Sequence, residues 1–446
     1  MKLDPRRRPA GFFGLWLLAA AAISLIIATR TYAQELRDID RARGQTMLKV
    51  IKKDLQKYYY DPTFRGLDIE ESFLKAEQDI DQATSLGQVL GIIARAVLTL
   101  NDSHTLFVPP GRTAKFDYGW RIRVIGETPY IFAVKPGSDA EAKGLKAGDM
   151  VISVDGFPLN RKNFHLFRYR YLLIRPAPGV SLVVQSPGGQ PRTVDVATKI
   201  EMGRRVIDLT QGEDIWEILR REEGLDEKHR SAESPDKKVF IWNIPSFLGD
   251  ESVIKRIGSR LSKYEAVVLD LRGNTGGLVS AVTCLLGFFF DHDLTVGQPK
   301  GREPNMKPMV AKTQGKNVFR GKLVVIVDSE SGSGSEIFAR AIQLEKRGTV
   351  VGDRTAGAVM RARFYSREMG GENVVLYGMS ITESEILMKD GGSLEKVGVT
   401  PDVLALPTGA DLAALRDPVL TRAAGLAGAP ITPAEAGKLF PYMWLD

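Results

Sequence analysis

The chain is poor in cysteine and histidine. Its 446 residues include one cysteine, Cys284, and four histidines, which are His104, His165, His229 and His292. A single thiol excludes a disulfide framework and any zinc site built on several cysteines. Cys284 lies in an apolar run, which predicts a buried thiol. Any chemistry that needs an imidazole must use one of the four histidines.

A strong charge of one sign is also lacking outside the N-terminus. The formal net charge is +7, but residues 1–33 hold five basic residues and one acidic residue. The remainder keeps 56 of the 61 Lys and Arg and 53 of the 54 Asp and Glu, a net charge of +3. No stretch interleaves basic and aromatic residues as nucleic-acid-binding surfaces do. We therefore expect no nucleic-acid partner.

The first 33 residues have the layout of an export signal. A basic stretch at residues 2–8 precedes residues 11–28, which contain no charged side chain, and Ala33 offers a site for cleavage. An uncleaved membrane anchor through residues 11–28 is the alternative, because this run reaches the lower end of the ~17–25 residues that span a bilayer. Both alternatives predict that the rest is exported into a bacterial cell envelope, in the periplasm or anchored to the inner membrane.

The rest of the chain divides into regions with different patterns. Apolar residues at three- and four-residue steps predict helices first, and short segments between turns then predict strands. Beyond a charged stretch, strands that are apolar throughout alternate with helices, which indicates an α/β core with a mixed, largely parallel sheet. The predicted regions are an N-terminal helical domain (35–117), a small β-rich domain (118–200), a linker with one short helix (201–237), the α/β core (238–406) and a C-terminal helical tail (407–446).

A serine-rich turn is the first candidate for chemistry. Residues 331–336 (Ser-Gly-Ser-Gly-Ser-Glu) connect a predicted buried strand to a helix with an apolar face. Open α/β sheets place their sites at such turns, and a helix N-terminus supplies unpaired N–H groups. The segment lacks the spacing of a Gly-x-Ser-x-Gly elbow and the Lys of a phosphate loop. It is either a flexible linker or a turn that carries a nucleophile, with Ser333 as the candidate.

A glycine-rich turn is the second candidate. Residues 270–277 (Asp-Leu-Arg-Gly-Asn-Thr-Gly-Gly) also follow a predicted buried strand and precede a helix. The glycines either supply positive φ angles in a tight turn or let backbone amides approach a developing oxyanion. The amides of Gly276 or Gly277 are the candidates for the second role.

A serine nucleophile needs a base. His229 and His292 lie in charged stretches that predict exposure, and His165 lies in the β-rich region. His104 follows the third predicted helix and comes directly after Ser103. His104 is therefore the candidate base, although it precedes Ser333 by 229 positions.

Taken in order, these motifs resemble the S41 family of serine peptidases, which includes the carboxyl-terminal processing proteases and the tricorn protease core. Residues 100–104 (Leu-Asn-Asp-Ser-His) are similar to the family's Asp-x-His element, and residues 135–155 look like part of a PDZ domain. Residues 352–357 and 395–402 also match. The resemblance implies a crotonase-like or ClpP-like protease core, with the β-rich region as an inserted PDZ domain.

The sequence departs from the family pattern at one position. The processing proteases of this family use a Ser–Lys dyad, but the position of that Lys, 25 residues after Ser333, holds Ala358. The tricorn-like branch instead orients a His base with a Ser and a distant Glu. The resemblance to that branch implies Ser103 beside His104, with Glu395 as the best match for the acid and Glu383 and Glu385 as the other candidates.

The resemblance implies an exported serine endopeptidase that forms an acyl-enzyme on Ser333, without a metal or another cofactor. The amides of Gly334 and of Gly276 or Gly277 are then the implied oxyanion donors. The alternative is a catalytically inactive pseudopeptidase that acts as a scaffold, which the alanine at position 358 favours.

A PDZ domain implies binding of a substrate's C-terminus. Such domains add an extended peptide to a sheet edge and hold its carboxylate on backbone amides. The implied binding loop consists of Gly119, Trp120, Arg121 and Ile122. Protein or peptide substrates recognised through their C-termini are the expected partners, and the oligomeric state stays open.

Overall fold

The computed structural model describes residues 36–203, 228–249, 251–370 and 374–444. The predicted export segment and the predicted linker helix, residues 215–219, lie outside these ranges. Over the described ranges, no helix combines the length and the apolar character that crossing a membrane requires.

Three helices begin the described chain, as their apolar spacing predicts. The third starts after the N-cap Ser85, whose hydroxyl accepts a hydrogen bond from the N–H of Gln88 at 3.3 Å. It ends at Leu98, so residues 101–104 lie in a loop. The elements are α1 (Asp38–Tyr58), a 3₁₀ turn (Phe64–Gly66), α2 (Ile69–Asp81), α3 (Leu86–Leu98) and the strand β1 (Leu106–Val108).

The β-rich region is an antiparallel sheet with a hydrophobic core of its own. Ile122, Val151 and Leu182 lie in that core. The elements are β2 (Ala114–Asp117), β3 (Trp120–Ile125), β4 (Thr128–Val134), α4 (Asp139–Ala142), β5 (Met150–Val154), β6 (Phe157–Pro158), α5 (Phe164–Arg168), a π-helical turn (Tyr169–Ile174), β7 (Gly179–Gln185), β8 (Pro191–Ala197) and β9 (Lys199–Met202).

The order of strands in that sheet leaves β3 at an edge. The order is β3-β4-β5-β7-β8, with β6 beside β5. The strands β2 and β9 pair with each other and form a two-stranded neck where the chain enters and leaves the region. The neck strands and the helical turns at 164–174 have no clear apolar period, and the sequence did not predict them.

The C-terminal half alternates strands and helices. Its elements are β10 (Arg230–Glu233), β11 (Val239–Asn243), α6 (Glu251–Gly258), a 3₁₀ turn (Leu261–Lys263), β12 (Ala266–Asp270), α7 (Val279–Leu286), β13 (Leu294–Gly301), β14 (Met309–Ala311), a 3₁₀ turn (Gly315–Asn317), β15 (Lys322–Val327), α8 (Gly334–Leu344), β16 (Thr349–Gly352), β17 (Met360–Met369), β18 (Val375–Met388), β19 (Val403–Leu404), α9 (Gly409–Ala413), α10 (Pro418–Ala427) and α11 (Pro433–Leu439).

The predicted mixed, largely parallel sheet is confirmed. Its order is β10-β11-β12-β15-β16-β19, and β10 alone among these strands runs antiparallel to its neighbour. Every residue of β11 and β12 is buried because helices cover both faces. Val267 and Leu269 pack toward α7 and α8, while Val268 packs toward α10.

A second, antiparallel sheet was largely missed from the sequence. It has the order β1-β18-β13-β14, with β17 also paired to β18. Its central strand, β18, is 14 residues long. Charged residues alternate through β17, which is half exposed, so no continuous apolar run marks the hairpin. The N-terminal helices pack on this sheet through Phe107, Met379 and Ile381.

Two expectations for the linker were wrong where the structure describes it. The strand β10 pairs with β11 as the edge of the core sheet, inside the stretch expected to be a linker. His229, expected to be exposed, is half-buried, and its Nδ1 accepts a hydrogen bond from the indole N–H of Trp242 at 3.1 Å. His292 is exposed and Cys284 is buried, as predicted.

A buried ion-pair cluster fastens α10 to the core sheet. The guanidinium of Arg272 donates hydrogen bonds to Asp270 at 2.7 Å and to Asp417 at 2.8 Å. Asp417 also caps α10 by accepting the N–H of Leu420. Burial alone would raise the pKa of Asp417, but the charge of Arg272 holds that pKa below its usual value.

We expect Asp417→Ala to lower the free energy of unfolding by clearly more than the about 1 kcal/mol of a lost helix cap, because it also removes one of the two carboxylates that pair with the largely buried guanidinium of Arg272. Since the pKa of Asp417 is lowered by folding, this contribution is present above about pH 4 and is lost as the pH falls further. Urea unfolding at pH 7 measures the effect.

Asp68→Ala is the matched control. Asp68 caps α2 in the same way through the N–H of Glu71, and it forms no ion pair within the described ranges. Loss of a cap alone costs about 1 kcal/mol. A loss at Asp417 no larger than that at Asp68 would contradict the role of the ion pair.

Candidate active site

Three turns meet at one edge of the core sheet. The strands β12, β15 and β16 are parallel neighbours, so their carboxyl ends lie side by side. The turns that follow them span residues 271–277, 328–333 and 353–359. The first belongs to the glycine-rich segment identified from the sequence, and the second contains the start of the serine-rich segment.

Ser333 lies at the N-terminus of α8 in a strained backbone conformation. Its φ is 47° and its ψ is −110°, a region that non-glycine residues seldom occupy and that costs about 1–3 kcal/mol. Gly276 approaches it closely: a Cβ built on Gly276 would lie 2.7 Å from the Cβ of Ser333. Gly276 has a φ of 105°, so both its conformation and its neighbour require glycine.

The buried carboxylate of Glu336 holds the turn around Ser333. It accepts the N–H of Ser333 at 3.0 Å, the N–H of Gly357 at 2.7 Å, the N–H of Ala358 at 2.9 Å and the hydroxyl of Thr355 at 2.5 Å. Burial raises the pKa of Glu336 to about 7, against the opposing effect of these hydrogen bonds. Sequence reasoning missed this residue, although Ser-x-x-Glu at a helix start is a capping signal.

His104, Ser103 and Glu395 form a hydrogen-bonded network. The Oγ of Ser103 lies 2.7 Å from the Nδ1 of His104 and 2.7 Å from Oε2 of Glu395. The N–H of Ser103 donates to Oε1 of Glu395 at 2.9 Å, and the N–H of Val359 donates to Oε2 at 3.0 Å. The other acidic candidates lie elsewhere: Glu383, for example, accepts the hydroxyl of Tyr365.

The network assigns the tautomer of His104. An ionised Glu395 only accepts, so the hydroxyl hydrogen of Ser103 points to that carboxylate. The Oγ of Ser103 therefore accepts the Nδ1–H of His104. In the neutral imidazole this leaves the lone pair on Nε2, which is the arrangement that a general base requires.

Asp102 shapes the loop that carries His104. Its Oδ1 accepts the N–H of His104 at 2.9 Å, the N–H of Thr105 at 2.6 Å and the hydroxyl of Thr382 at 2.9 Å. Because Thr382 belongs to β18, the loop is tied to the second sheet. Asp102 thus positions the backbone of the candidate base.

The candidate oxyanion amides differ in their hydrogen bonding. The N–H of Gly276 donates to Oδ1 of Asn274 at 2.8 Å, which removes Gly276 from the candidate donors. Gly334 is the first residue of α8, so its N–H has no acceptor within the helix. The N–H of Gly277 makes no hydrogen bond within the described ranges. Gly277 and Gly334 remain as candidates.

Comparison with known proteins identifies the family. Residues 239–405 match the model of peptidase family S41. These residues form the α/β core, which is thus an S41 peptidase domain. It is therefore a serine-type peptidase, a hydrolase, and the sheet edge that carries Ser333 lies within the matched residues.

Relatives of similar length support the assignment. The chain is 26% identical over 408 residues to a carboxyl-terminal-processing protease of Picosynechococcus sp., a match that covers 86% of this chain and 89% of that protein. It is 24% identical over 354 residues to the carboxy-terminal processing protease CtpA of Bacillus subtilis, covering 76% and 68%. The crystal structure of mature CPAF has a similar fold, with a TM-score of 0.62 at 16% identity over 84% of this chain and 95% of that one.

Ala358 lies directly against the turn that carries Ser333. Its carbonyl oxygen accepts the N–H of Ser333 at 2.9 Å, and the next residue, Val359, donates to Glu395. The position at which the family resemblance implies a Lys is therefore adjacent to Ser333. The same two residues join Ser333 to the network of His104.

The predicted peptide-binding loop lies at the start of the edge strand β3. Gly119 has a φ of 73°, and its N–H donates to Asp117 at 3.0 Å. Trp120 and Ile122 point into the core of the β-rich region and are buried, while Arg121 points outward. A cavity of about 50 Å³ lies between β3 and α5 and is lined by Arg121 and Phe132, among others.

We expect Glu336 to make stability depend on pH near neutrality. Since folding raises its pKa from 4.5 to about 7, its contribution is complete below about pH 4.5 and is lost as the pH rises through 7. The free energy of unfolding should fall by about 3 kcal/mol over this interval. Glu336→Gln should remove that part of the dependence, measured by urea unfolding from pH 4.5 to 8.

Glu71→Gln is the control for that experiment. Glu71 occupies the same third position of α2, but its side chain is exposed. This variant should keep the pH dependence of the wild type. An unchanged slope in Glu336→Gln would show that the four hydrogen bonds, rather than burial, set the pKa of Glu336.

Proposed function

We propose that the chain is an exported serine endopeptidase that cleaves peptide bonds through an acyl-enzyme on Ser333. The observation that carries the proposal is the network of Ser103, His104 and Glu395, which has the order of contacts that a base and its orienting groups need. It supports an active enzyme rather than a scaffold, because the contact of Nδ1 with Ser103 leaves the lone pair of the neutral imidazole on Nε2, where a general base accepts a proton.

In the first step, Nε2 of His104 takes the hydroxyl proton of Ser333, and the Oγ of Ser333 attacks the scissile carbonyl carbon. The imidazolium that forms keeps its Nδ1–H on Ser103, and the carboxylate of Glu395 stabilises the new positive charge through Ser103. The imidazolium then protonates the leaving amine, and a water molecule activated by His104 releases the acyl group.

The oxyanion of each tetrahedral intermediate would bind the amides of Gly277 and Gly334. Gly334 follows Ser333 in the chain, Gly277 follows the glycine that approaches Ser333, and the dipole of α8 adds a positive partial charge at its N-terminus. Loss of one such donor typically costs about 100–1,000-fold in rate. The close approach of Gly276 to Ser333 then fixes the distance between the two turns.

His104 would replace the Lys of the processing proteases. A Lys base must be strongly desolvated to be neutral at pH 7, whereas an ordinary imidazole is largely neutral there. The alanine at position 358 is therefore compatible with catalysis if His104 acts as the general base for Ser333.

We also propose that residues 118–200 form a PDZ domain that binds substrate C-termini, inserted into a crotonase-like or ClpP-like core. The edge strand β3 beside α5 supports this proposal, since a peptide adds to such an edge. The turn at Gly119 would hold the peptide's carboxylate in place of Asp117, which accepts the N–H of Gly119 in the structure. The basic and uncharged stretches of residues 1–33 support export to the bacterial envelope.

We expect Ser333→Ala to abolish labelling of the protein by a serine-reactive fluorophosphonate probe. His104→Ala should slow labelling by at least about 100-fold, because a general base contributes about 10²–10⁴. Ser103→Ala should slow it less, since the imidazole remains but loses its orientation. Labelling kept in His104→Ala would contradict the assigned base, and a wild type that is never labelled, with or without added peptide, would favour the scaffold alternative.

Two neighbouring serines provide matched controls. Ser331 donates its hydroxyl hydrogen to the carbonyl oxygen of Leu271, and Ser335 donates to that of Asn274, both at 2.8 Å. No such donation by Ser333 is found in the described part of the chain. Ser331→Ala and Ser335→Ala should therefore remain labelled.

We expect Gly276→Ala to slow labelling by at least about 100-fold, because its Cβ would lie 2.7 Å from the Cβ of Ser333 and 2.8 Å from the amide of Gly334. Gly273→Ala is the control: its φ is 69°, but a Cβ there meets nothing within 4 Å. Both variants carry the about 1–2 kcal/mol cost of a positive φ. Equal labelling rates in the two variants would contradict the importance of this close approach.

A further inference from the structure

Residues 441–444 follow α11 and lie between the core and the β-rich domain. The guanidinium of Arg230, on the edge strand β10, donates to the carbonyl oxygen of Pro441 at 2.7 Å. Beyond this point Tyr442 and Trp444 are half-buried, whereas Pro441 and Met443 are exposed. In an extended chain alternate side chains point to the same side, so Tyr442 and Trp444 face the protein together.

Tyr442 contacts the outer face of β3 and β4. Side chains alternate along both strands, and Arg123 and Phe132 are among those that point away from the domain core. The Tyr442 ring meets the Phe132 ring edge to face, with centroids 5.1 Å apart at 86°. The guanidinium of Arg123 lies 4.4 Å from the centroid of the same Phe132 ring.

Trp444 lies against two cations at the start of β3 and the end of β4. The guanidinium of Arg121 is 4.7 Å from its ring centroid, and the ammonium of Lys135 is 5.9 Å away. Its ring also meets the Tyr442 ring at 5.2 Å and 89°. We call the surface formed by Arg121, Arg123, Phe132 and Lys135 the aromatic seat.

We propose that the aromatic seat binds extended segments with aromatic side chains at alternate positions, and that residues 441–444 occupy it in the resting protein. Cations and rings recognise an aromatic face or edge without requiring charge on the ligand. This fits the occupying segment, Pro-Tyr-Met-Trp, which carries no charged side chain.

The occupying segment competes with peptides that enter the neighbouring groove. Arg121 and Phe132 line both the aromatic seat and the cavity between β3 and α5. A peptide added to β3 therefore meets two residues that already hold the segment. This competition rests on the proposed peptide-binding role of β3, whereas the aromatic seat itself does not.

Tethering makes a weak contact an effective competitor. A segment joined to its site by a short connection has an effective concentration in the millimolar range. A free copy of the same segment with a dissociation constant of about 0.1 mM would then bind an intact chain about tenfold more weakly than a chain whose own segment cannot dock.

Binding of a fluorescent peptide of residues 437–446 tests the proposal. The protein is the full chain with Ser333→Ala, so that no peptide is cleaved, and anisotropy reports the affinity. When Tyr442→Ala and Trp444→Ala are added together to this chain, it should bind the peptide about tenfold more tightly. Met443→Ala, which changes the exposed residue between them, should bind like the intact chain. Equal affinities in all three proteins would overturn the proposal.

Variants in the aromatic seat show where the peptide binds. Arg121→Gln or Phe132→Ala, added to the chain that lacks both tail aromatics, should each weaken binding at least tenfold, with unchanged circular dichroism as the check on folding. Unchanged affinity in both variants would overturn the proposed location. The intact chain could also be a dimer that becomes monomeric when Tyr442 and Trp444 are replaced. That result would overturn the proposal that the segment occupies the aromatic seat of its own chain.

A second peptide separates this inference from the proposed recognition of C-termini. In it both aromatic residues are replaced by alanine and the terminal carboxylate is kept. Equal binding of the two peptides would overturn the aromatic seat while supporting a carboxylate site at Gly119. Binding of the aromatic peptide alone, whether its terminus is free or amidated, would support the aromatic seat and contradict the recognition of C-termini.

Discussion

The carboxylate of Glu395 joins chain segments that are 292 positions apart. A buried carboxylate must be satisfied by donors, because an unpaired charge in the interior is costly. Here the donors are Ser103, from the N-terminal loop, and Val359, from the turn beside Ser333. The pairing of β1 with β18 brings that loop to the core. The contact of Ser103 with Glu395 therefore forms only when the N-terminal segment has folded onto the core.

The turn after β16 is stretched between two carboxylates. The N–H of Ala358 donates to Glu336 and the N–H of Val359 donates to Glu395. Consecutive amides thus link the helix that begins at Ser333 to the network that orients His104. Both carboxylates bind backbone amides of this turn, so together they fix its position between Ser333 and Ser103. The backbone of Ala358 keeps its structural role even though its side chain supplies no base.

The sequence predicted those parts whose signal is local. Buried strands such as β12 read as apolar runs, and Ser333, Ser103 and His104 lie in short motifs. Prediction failed where a residue's contacts are made by residues distant in the sequence. Glu336 looks like an ordinary helix-start residue, since its other donors lie 19 to 22 positions further on. His229 sits among charged residues, yet Trp242 covers it and burial lowers its pKa. The half-exposed hairpin of β17 and β18 has no apolar run to reveal it.

The β-rich domain touches the nucleophile turn through a carboxylate that the turn also uses. Asp328 accepts the amides of Gly273 and Ser331 through one oxygen, and its other oxygen lies 3.7 Å from the guanidinium of Arg123. Arg123 in turn stacks on Phe132 of the aromatic seat. Because Asp328 is buried, moving Arg123 away leaves its charge less compensated and changes the free energy of the turn. Asp328 is therefore the contact through which a shift of Arg123 would reach the turn that precedes Ser333.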